Sequence, residues 1–198
     1  MFEDPSLTLH NLNNPAYLLS GKTIVGALVF GLIAVELLKR YIGLRTSTGD
    51  LYAIPLALGI AVGRIGCFLT GLADNTYGIP TSLPWAIDFG DGIPRHPTQL
   101  YEMIFLLALI PVLYRALKRI VTTSVLGTRY SQLAPGDAFK LFMVAYLSFR
   151  LLIDFLKPYP RIFLGLGGIQ WACLLTLFYY ARDIFRWLDP RKNDSAIA

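Results

Sequence analysis

Charge is what this chain is short of. Only 16% of its 198 residues are Asp, Glu, Lys or Arg, against about 25% in an ordinary soluble domain. By contrast 55% are hydrophobic, the mean hydropathy is +0.52, and the apolar residues are gathered in long runs. That combination argues against a soluble globular body. Cysteine is also scarce: Cys67 and Cys173 both lie inside apolar runs. Two such thiols make neither a disulfide framework nor a zinc site, which needs about four ligands. The first 21 residues lack a basic start leading into a short apolar core, so no cleavable signal peptide is expected. Internal repeats and low-complexity tracts are absent too. The net charge of +5 would suggest nucleic acid in a soluble protein. Here the basic residues flank apolar runs, which reads as membrane topology with no nucleic-acid partner.

Five runs are candidate spans, at 21–40, 51–72, 103–117, 139–156 and 163–180. A crossing helix needs roughly 20 mostly apolar residues, so the shorter runs require snorkelling ends. The third run is expected to start inside the preceding loop near Gln99, and the fifth to extend toward Leu188. The predicted fold is an all-α polytopic transmembrane bundle of about five spans. It forms a single integral membrane domain over 1–198, with a cytoplasmic tail at 190–198.

Lys and Arg asymmetry orients the bundle. One side holds Lys39, Arg40, Arg45, Arg115, Lys118, Arg119, Arg129, Lys140, Arg182, Arg186, Arg191 and Lys192. The other holds only Lys22, Arg95, Lys157 and Arg161. The C-terminus is therefore expected in the cytoplasm, and the N-terminus and the 73–98 loop outside. That loop is long, rich in Gly, Pro, Asp and Thr, and is expected to be ordered as a lid or binding loop. Within it, Ile79–Pro84 and Phe89–Pro94 read as turns.

Two arginines sit inside apolar spans. A charge in the bilayer core costs at least roughly 2.5–3.5 kcal/mol, so it usually faces the bundle interior and marks function. Arg64 lies among Gly59, Gly63, Gly66 and Gly71, which are expected to allow close backbone approach, or to let a head group reach the helix. No acid stands within one helical turn of Arg64, so an external anion is its expected partner. Arg150 shares a helix face with Tyr146 and Asp154, at i, i+4 and i+8, so Asp154 is expected to orient its guanidinium. The plain alternative is an internal ion pair, or side chains that snorkel to the surface. At the membrane entry, Arg95, His96, Thr98, Gln99, Tyr101 and Glu102 crowd into one stretch. Thr98 is a candidate N-cap for the third span. The stretch also fits a capped interfacial helix start with an aromatic anchor.

Three segments together resemble the prolipoprotein diacylglyceryl transferases, from about Gly21 to the C-terminus. They are Gly63-Arg64-Ile65-Gly66-Cys67-Phe68 running on to Tyr77-Gly78; Pro94-Arg95-His96-Pro97-Thr98-Gln99-Leu100-Tyr101-Glu102; and Tyr146-Leu147-Ser148-Phe149-Arg150 with Asp154, followed by Gly168-Ile169-Gln170. The second is highly specific, whereas the first alone would be weak. The resemblance implies a multi-pass enzyme of the bacterial inner membrane. It would transfer the diacylglyceryl group of phosphatidylglycerol to the lipobox cysteine thiol of a preprolipoprotein, forming a thioether, with no metal or soluble cofactor.

The resemblance assigns the family's essential arginines to Arg64 and Arg150, its tyrosine to Tyr146, and the glycine ending its signature loop to Gly78. His96, Tyr146 and Glu102 are candidate bases by type. Arg95, Gln99, Tyr101, Glu102 and Asp154 join Arg64, Arg150 and Gly78 as expected substrate-binding residues. The chain departs from the family pattern at Cys67 and Thr70, where Asn is usual, and at Leu72, near which the family has Glu. Val25-Gly26-Ala27 stands in place of His-Gly-Gly. The family's seven spans against five here predict a start assigned too late or a shortened paralogue. Two other functions stay open: a non-catalytic relative that binds anionic phospholipid or lipoprotein precursors, and a small anion transporter or channel subunit.

Overall fold

The computed structural model describes residues 23–44, 46–126, 133–159, 161 and 163–188, with backbone alone at 123–126. The expectations for Lys22, Arg45, Arg129, Arg191, Lys192, the N-terminus and the 190–198 tail lie outside the described residues. The described chain is mostly helical. Its α-helices are α1 (Ile24–Tyr41), α2 (Asp50–Thr70), α3 (Thr98–Leu126), α4 (Asp137–Ile153), α5 (Gly168–Tyr179) and α6 (Ala181–Leu188). Short 3₁₀ turns, Gly71–Asp74 and Asp154–Leu156, extend α2 and α4.

The chain divides into two compact units. One comprises residues 1–46 and 147–178; the other comprises 47–146 and 179–198. In the second unit, α2 and α3 pack along one another. The buried face of α2 is Ala53, Ala57, Ala61 and Arg64, a stripe of small side chains at helical spacing that ends in a guanidinium. The facing seam of α3 is Gln99, Glu102, Leu106, Leu109, Leu113, Ala116 and Ile120, alternately three and four residues apart, as helix packing requires. Close approach therefore comes from the alanines. Gly59, Gly63 and Gly66 point the other way, with nothing within 4 Å of a Cβ built on them. This corrects the expectation that they line the packing face. Gly71 instead ends α2 at φ +66°, a conformation glycine reaches without strain.

The outward faces of these two helices are aliphatic: Leu58, Val62, Ile65, Leu69, Ile104, Leu107 and Val112 are all exposed. Among the described residues, two stretches, Asp50–Asp74 and Thr98–Thr122, are long and apolar enough to cross a membrane. α5 is apolar but has only 12 residues. The third expected span gains most: its helix begins at Thr98, close to the expected start near Gln99, and runs on past residue 117 to Leu126. The fifth shrinks, because the chain reverses just before Gly168. Phe163 and Leu166 exchange backbone hydrogen bonds, with Leu164 at φ +51° and Gly165 at φ +72°. Beyond Tyr179 the apolar run does not continue to Leu188 as one helix; α6 is separate.

Within this mostly helical chain, the 73–98 loop holds a small two-stranded antiparallel ribbon, which the sequence did not suggest. β1 (Ile87–Asp88) pairs with β2 (Pro94–Arg95), with Ile87 opposite Arg95 and Asp88 opposite Pro94. The turn between them is built by Asp88, whose Oδ1 accepts from the amides of Gly90, Asp91 and Gly92 at 2.8, 3.1 and 3.0 Å. Phe89–Pro94 is thus a turn, as expected, whereas Pro80 in Ile79–Pro84 is extended and bridges to Arg95.

The N-terminus of α4 is pinned from outside. Asp50 accepts from the amides of Gly136 at 2.6 Å and Phe139 at 3.2 Å. Asp137 accepts from Ala134, Arg186 and Trp187. In the first unit, the Oε1 of Gln170 accepts from Gly167 at 2.9 Å and Arg161 at 3.0 Å, and its Nε2 donates to the carbonyl of Leu151 at 3.2 Å.

Candidate functional site

Three chain segments converge in the second unit. The alanine stripe of α2 delivers Arg64, and the first turns of α3 deliver Glu102. Nη2 of Arg64 lies 2.9 Å from Oε1 and 2.8 Å from Oε2 of Glu102. The guanidinium is 5% exposed and the carboxylate not at all. The phenol of Tyr146, on α4, donates to Glu102 Oε1 at 2.7 Å and stacks on Phe142 with ring centroids 5.9 Å apart. Nη1 of Arg64 contacts Cys67 Sγ at 3.7 Å.

This corrects the expectation that Arg64 lacks an internal counter-charge. Glu102 supplies it from 38 positions away, where spacing along one helix gives no signal. It also alters the standing of two candidate bases. Both oxygens of Glu102 are engaged, and Tyr146 is a hydrogen-bond donor to it.

Thr98 is the first residue of α3, and its hydroxyl donates to the carbonyl of Thr76 at 2.6 Å. That corrects its expected role as N-cap: the side chain ties helix to loop. The amide of Gly78 donates to the carbonyl of His96 at 2.9 Å, and His96 N to Ile79 O at 3.2 Å. Gly78, buried in this pairing, is therefore a backbone joint between the two ends of the loop. Nδ1 of His96 and the hydroxyl of Tyr101 are 3.1 Å apart, and Trp85 Nε1 donates to the same hydroxyl at 2.7 Å.

Arg95 binds Asp91 with both terminal nitrogens at 2.6 Å and lies over the Tyr77 ring at 4.9 Å. Its hydrogen bonds hold the Asp91 carboxyl below the usual carboxylate range and raise the Arg95 guanidinium. The sequence reading missed Asp91, although its i, i+4 relation to Arg95 was a usable signal. Gln99 is 1% exposed, and neither atom of its amide has a hydrogen-bond partner among the described residues.

In the other unit, Arg150 and Asp154 form the expected i, i+4 pair, with Nη2 to Oδ1 at 3.1 Å and both side chains buried. A small cleft beside Asp154 is lined by Tyr159, Arg161, Gly167, Gly168 and Gln170. Cys67 and Cys173 are free thiols.

A pair of helices long and apolar enough to cross a membrane, packed around a buried arginine–glutamate–tyrosine cluster, defines a helical protein with a buried polar site. The chain belongs to the prolipoprotein diacylglyceryl transferase family, which it matches over residues 7–187. It is similar to the phosphatidylglycerol–prolipoprotein diacylglyceryl transferase of Bordetella parapertussis, at 35% identity over 84% of this chain and 60% of that protein. The protein of the same name from Bordetella bronchiseptica is 36% identical over 79% of this chain and 57% of the relative. That of Methylocella silvestris is 34% identical over 83% and 61%. The chain thus spans about three fifths of the length of these curated relatives. No solved structure matches it significantly.

Proposed function

We propose that this chain, embedded in the bacterial inner membrane, transfers the diacylglyceryl group of phosphatidylglycerol to the lipobox cysteine thiol of a preprolipoprotein. The thiolate sulfur attacks the glyceryl carbon and a C–S bond forms. The C–O bond to phosphate breaks, and glycerol phosphate leaves with the electron pair. The observation that carries this reading is the Arg64–Glu102–Tyr146 cluster, because it joins three motif segments around one buried cation.

Charge builds on the departing phosphodiester, and a positioned arginine in a low-dielectric site stabilises it. Glu102 engages Arg64 through Nη2, and Nη1 lies 3.7 Å from the Cys67 sulfur. Arg150, oriented by Asp154, is the second cation of the reading. Only the thiolate is a good nucleophile, so the cysteine proton needs an acceptor. His96 is the better placed of the candidate bases, since Glu102 and Tyr146 already bind one another. For Nε2 to accept that proton, Nδ1–H must donate to Tyr101. Gly78, Arg95 and Tyr101 shape the loop above the substrate, and the buried Gln99 is the remaining polar candidate for substrate contact.

In this topology the Lys- and Arg-rich flanks, including Arg115, Lys118, Lys140 and Arg186, are cytoplasmic, as is the C-terminus; the N-terminus and the 73–98 loop face outward. Reconstitution with phosphatidylglycerol and a lipobox peptide tests the reaction. The expected product is the diacylglyceryl thioether, lost in Arg64→Ala. An unmodified peptide, alongside conversion by one of the longer relatives, overturns it.

A second reading, a non-catalytic binder of anionic lipid or lipoprotein precursor, is favoured by one feature. Val25, where the family's histidine is expected, is a buried apolar residue. Retained anionic lipid that disappears in Arg64→Ala, without any turnover by the unsubstituted chain, would select this reading.

A further inference from the structure

Gln99 occupies the α3 seam one turn before Glu102, so the two side chains share a face. Its neighbours in that turn are satisfied: Thr98 bonds to the Thr76 carbonyl, and Glu102 to Arg64 and Tyr146. The Gln99 amide is 1% exposed, yet its Oε1 and Nε2 have no hydrogen-bond partner among the described residues. Buried polar groups are almost always paired, and later seam positions hold leucine. A leucine here would pack without leaving a polar group unmet. The amide is therefore kept for a partner from outside the chain.

We infer that Gln99 is a specificity-determining residue that recognises hydroxyl groups on the headgroup of an anionic phospholipid. An amide offers one carbonyl acceptor and two N–H donors. A glyceryl headgroup, whose hydroxyls both donate and accept, answers both halves. A primary ammonium headgroup only donates, and the methyl group of a methyl ester does neither. Arg64, held by Glu102 one turn along the same seam, supplies the cation for the adjoining phosphate. The ligand chemistry is a polyol phosphate on a diacyl lipid. This inference rests on the reading above that the Arg64 cluster receives phosphatidylglycerol, and it names what selects the headgroup.

The test measures lipid retention by the purified full chain, without turnover. Native mass spectrometry compares dioleoyl phosphatidylglycerol with dioleoyl phosphatidylmethanol, which has the same charge and no hydroxyl. The unsubstituted chain is expected to favour the glyceryl lipid roughly tenfold, the equivalent of one or two net hydrogen bonds. Gln99→Leu and the near-isosteric Gln99→Met are expected to bring that ratio close to unity. Phosphatidylmethanol retention and the melting temperature should not fall, because the variants remove an unmet amide. Whichever variant folds serves. An unchanged ratio in the variants, or no preference in the unsubstituted chain, overturns the inference. Retention of soluble glycerol phosphate in place of lipid overturns the lipid source. If headgroup preference is present while the peptide stays unmodified, the transferase reading fails and the Gln99 assignment stands.

Discussion

Arg64 and Glu102 are 38 positions apart in sequence and meet as a buried ion pair at 2.8 Å. Such a pair is not a simple gain in stability, since both ions lose their water. Its asymmetry is what matters: removing one member strands the other charge.

That asymmetry gives the first prediction. Glu102→Gln keeps an acceptor for Tyr146 and removes only the counter-charge. It should lower unfolding stability in detergent micelles by about 3–5 kcal/mol, the usual cost of breaking a buried pair. Arg64→Met combined with Glu102→Gln should cost clearly less than the two single changes added together. Strict additivity in that double-mutant cycle would show that the two side chains are not coupled.

The phenol of Tyr146 makes a separable contribution. Tyr146→Phe keeps the stacking on Phe142 and deletes the hydrogen bond to Glu102. A hydrogen bond to a charged group is worth about 1.5–3 kcal/mol net, so a loss of that size is expected in equilibrium unfolding. The proposed transfer activity, measured in vesicles, should fall as well, because Glu102 then holds Arg64 less firmly. A variant as stable as the parent would contradict the role of the phenol.

Acid should loosen the 73–98 loop. Arg95 holds the Asp91 carboxyl below its ordinary value of 3.8. A carboxyl with a depressed folded-state pKa contributes its stability above the unfolded value. That contribution is lost as pH falls below 3.8 through the lower folded value. The protection factors of the β1–β2 ribbon amides, with intrinsic exchange divided out, should therefore be steady near neutrality and fall in that acid window. Asp91→Asn should exchange faster at neutral pH and lose the acid step.

The start of α4 depends on a distant carboxylate. Asp50→Ala removes the acceptor for the amides of Gly136 and Phe139 and should cost about 1–2 kcal/mol, as helix-cap losses do. Gly136→Ala should also destabilise. Gly136 has φ +99°, and a Cβ there would lie 2.5 Å from the Ser47 hydroxyl. Thermal unfolding of both variants checks the pair. An Asp50→Ala melting curve superimposable on the parent's would exclude the cap.

Much of the helical content was legible before any coordinates. The long apolar runs marked α2 and α3, because a 20-residue apolar stretch has few other uses. The Arg150–Asp154 pair was legible too, since i, i+4 spacing fixes proximity within one helix. The start of α3 at Thr98 was only partly legible. The stretch from Thr98 to Glu102 is polar and reads as loop by composition, yet it is helical because its side chains find partners in the packed seam. The β1–β2 ribbon was hidden for a similar reason: Gly- and Pro-rich composition announces turns, while two-residue pairings leave no periodicity.

The sequence by itself determined that this chain carries arginines within apolar runs, which family's motifs it bears, and which residue types crowd into residues 94–102. Those are properties of composition and local spacing. Only the tertiary structure decided that Glu102, rather than an outside anion alone, neutralises Arg64, that Tyr146 completes the cluster, and that alanines rather than glycines form the packing face of α2. Each depends on which face of one helix meets which face of another. That choice is made by side-chain packing across tens of residues, and no spacing along a single helix encodes it.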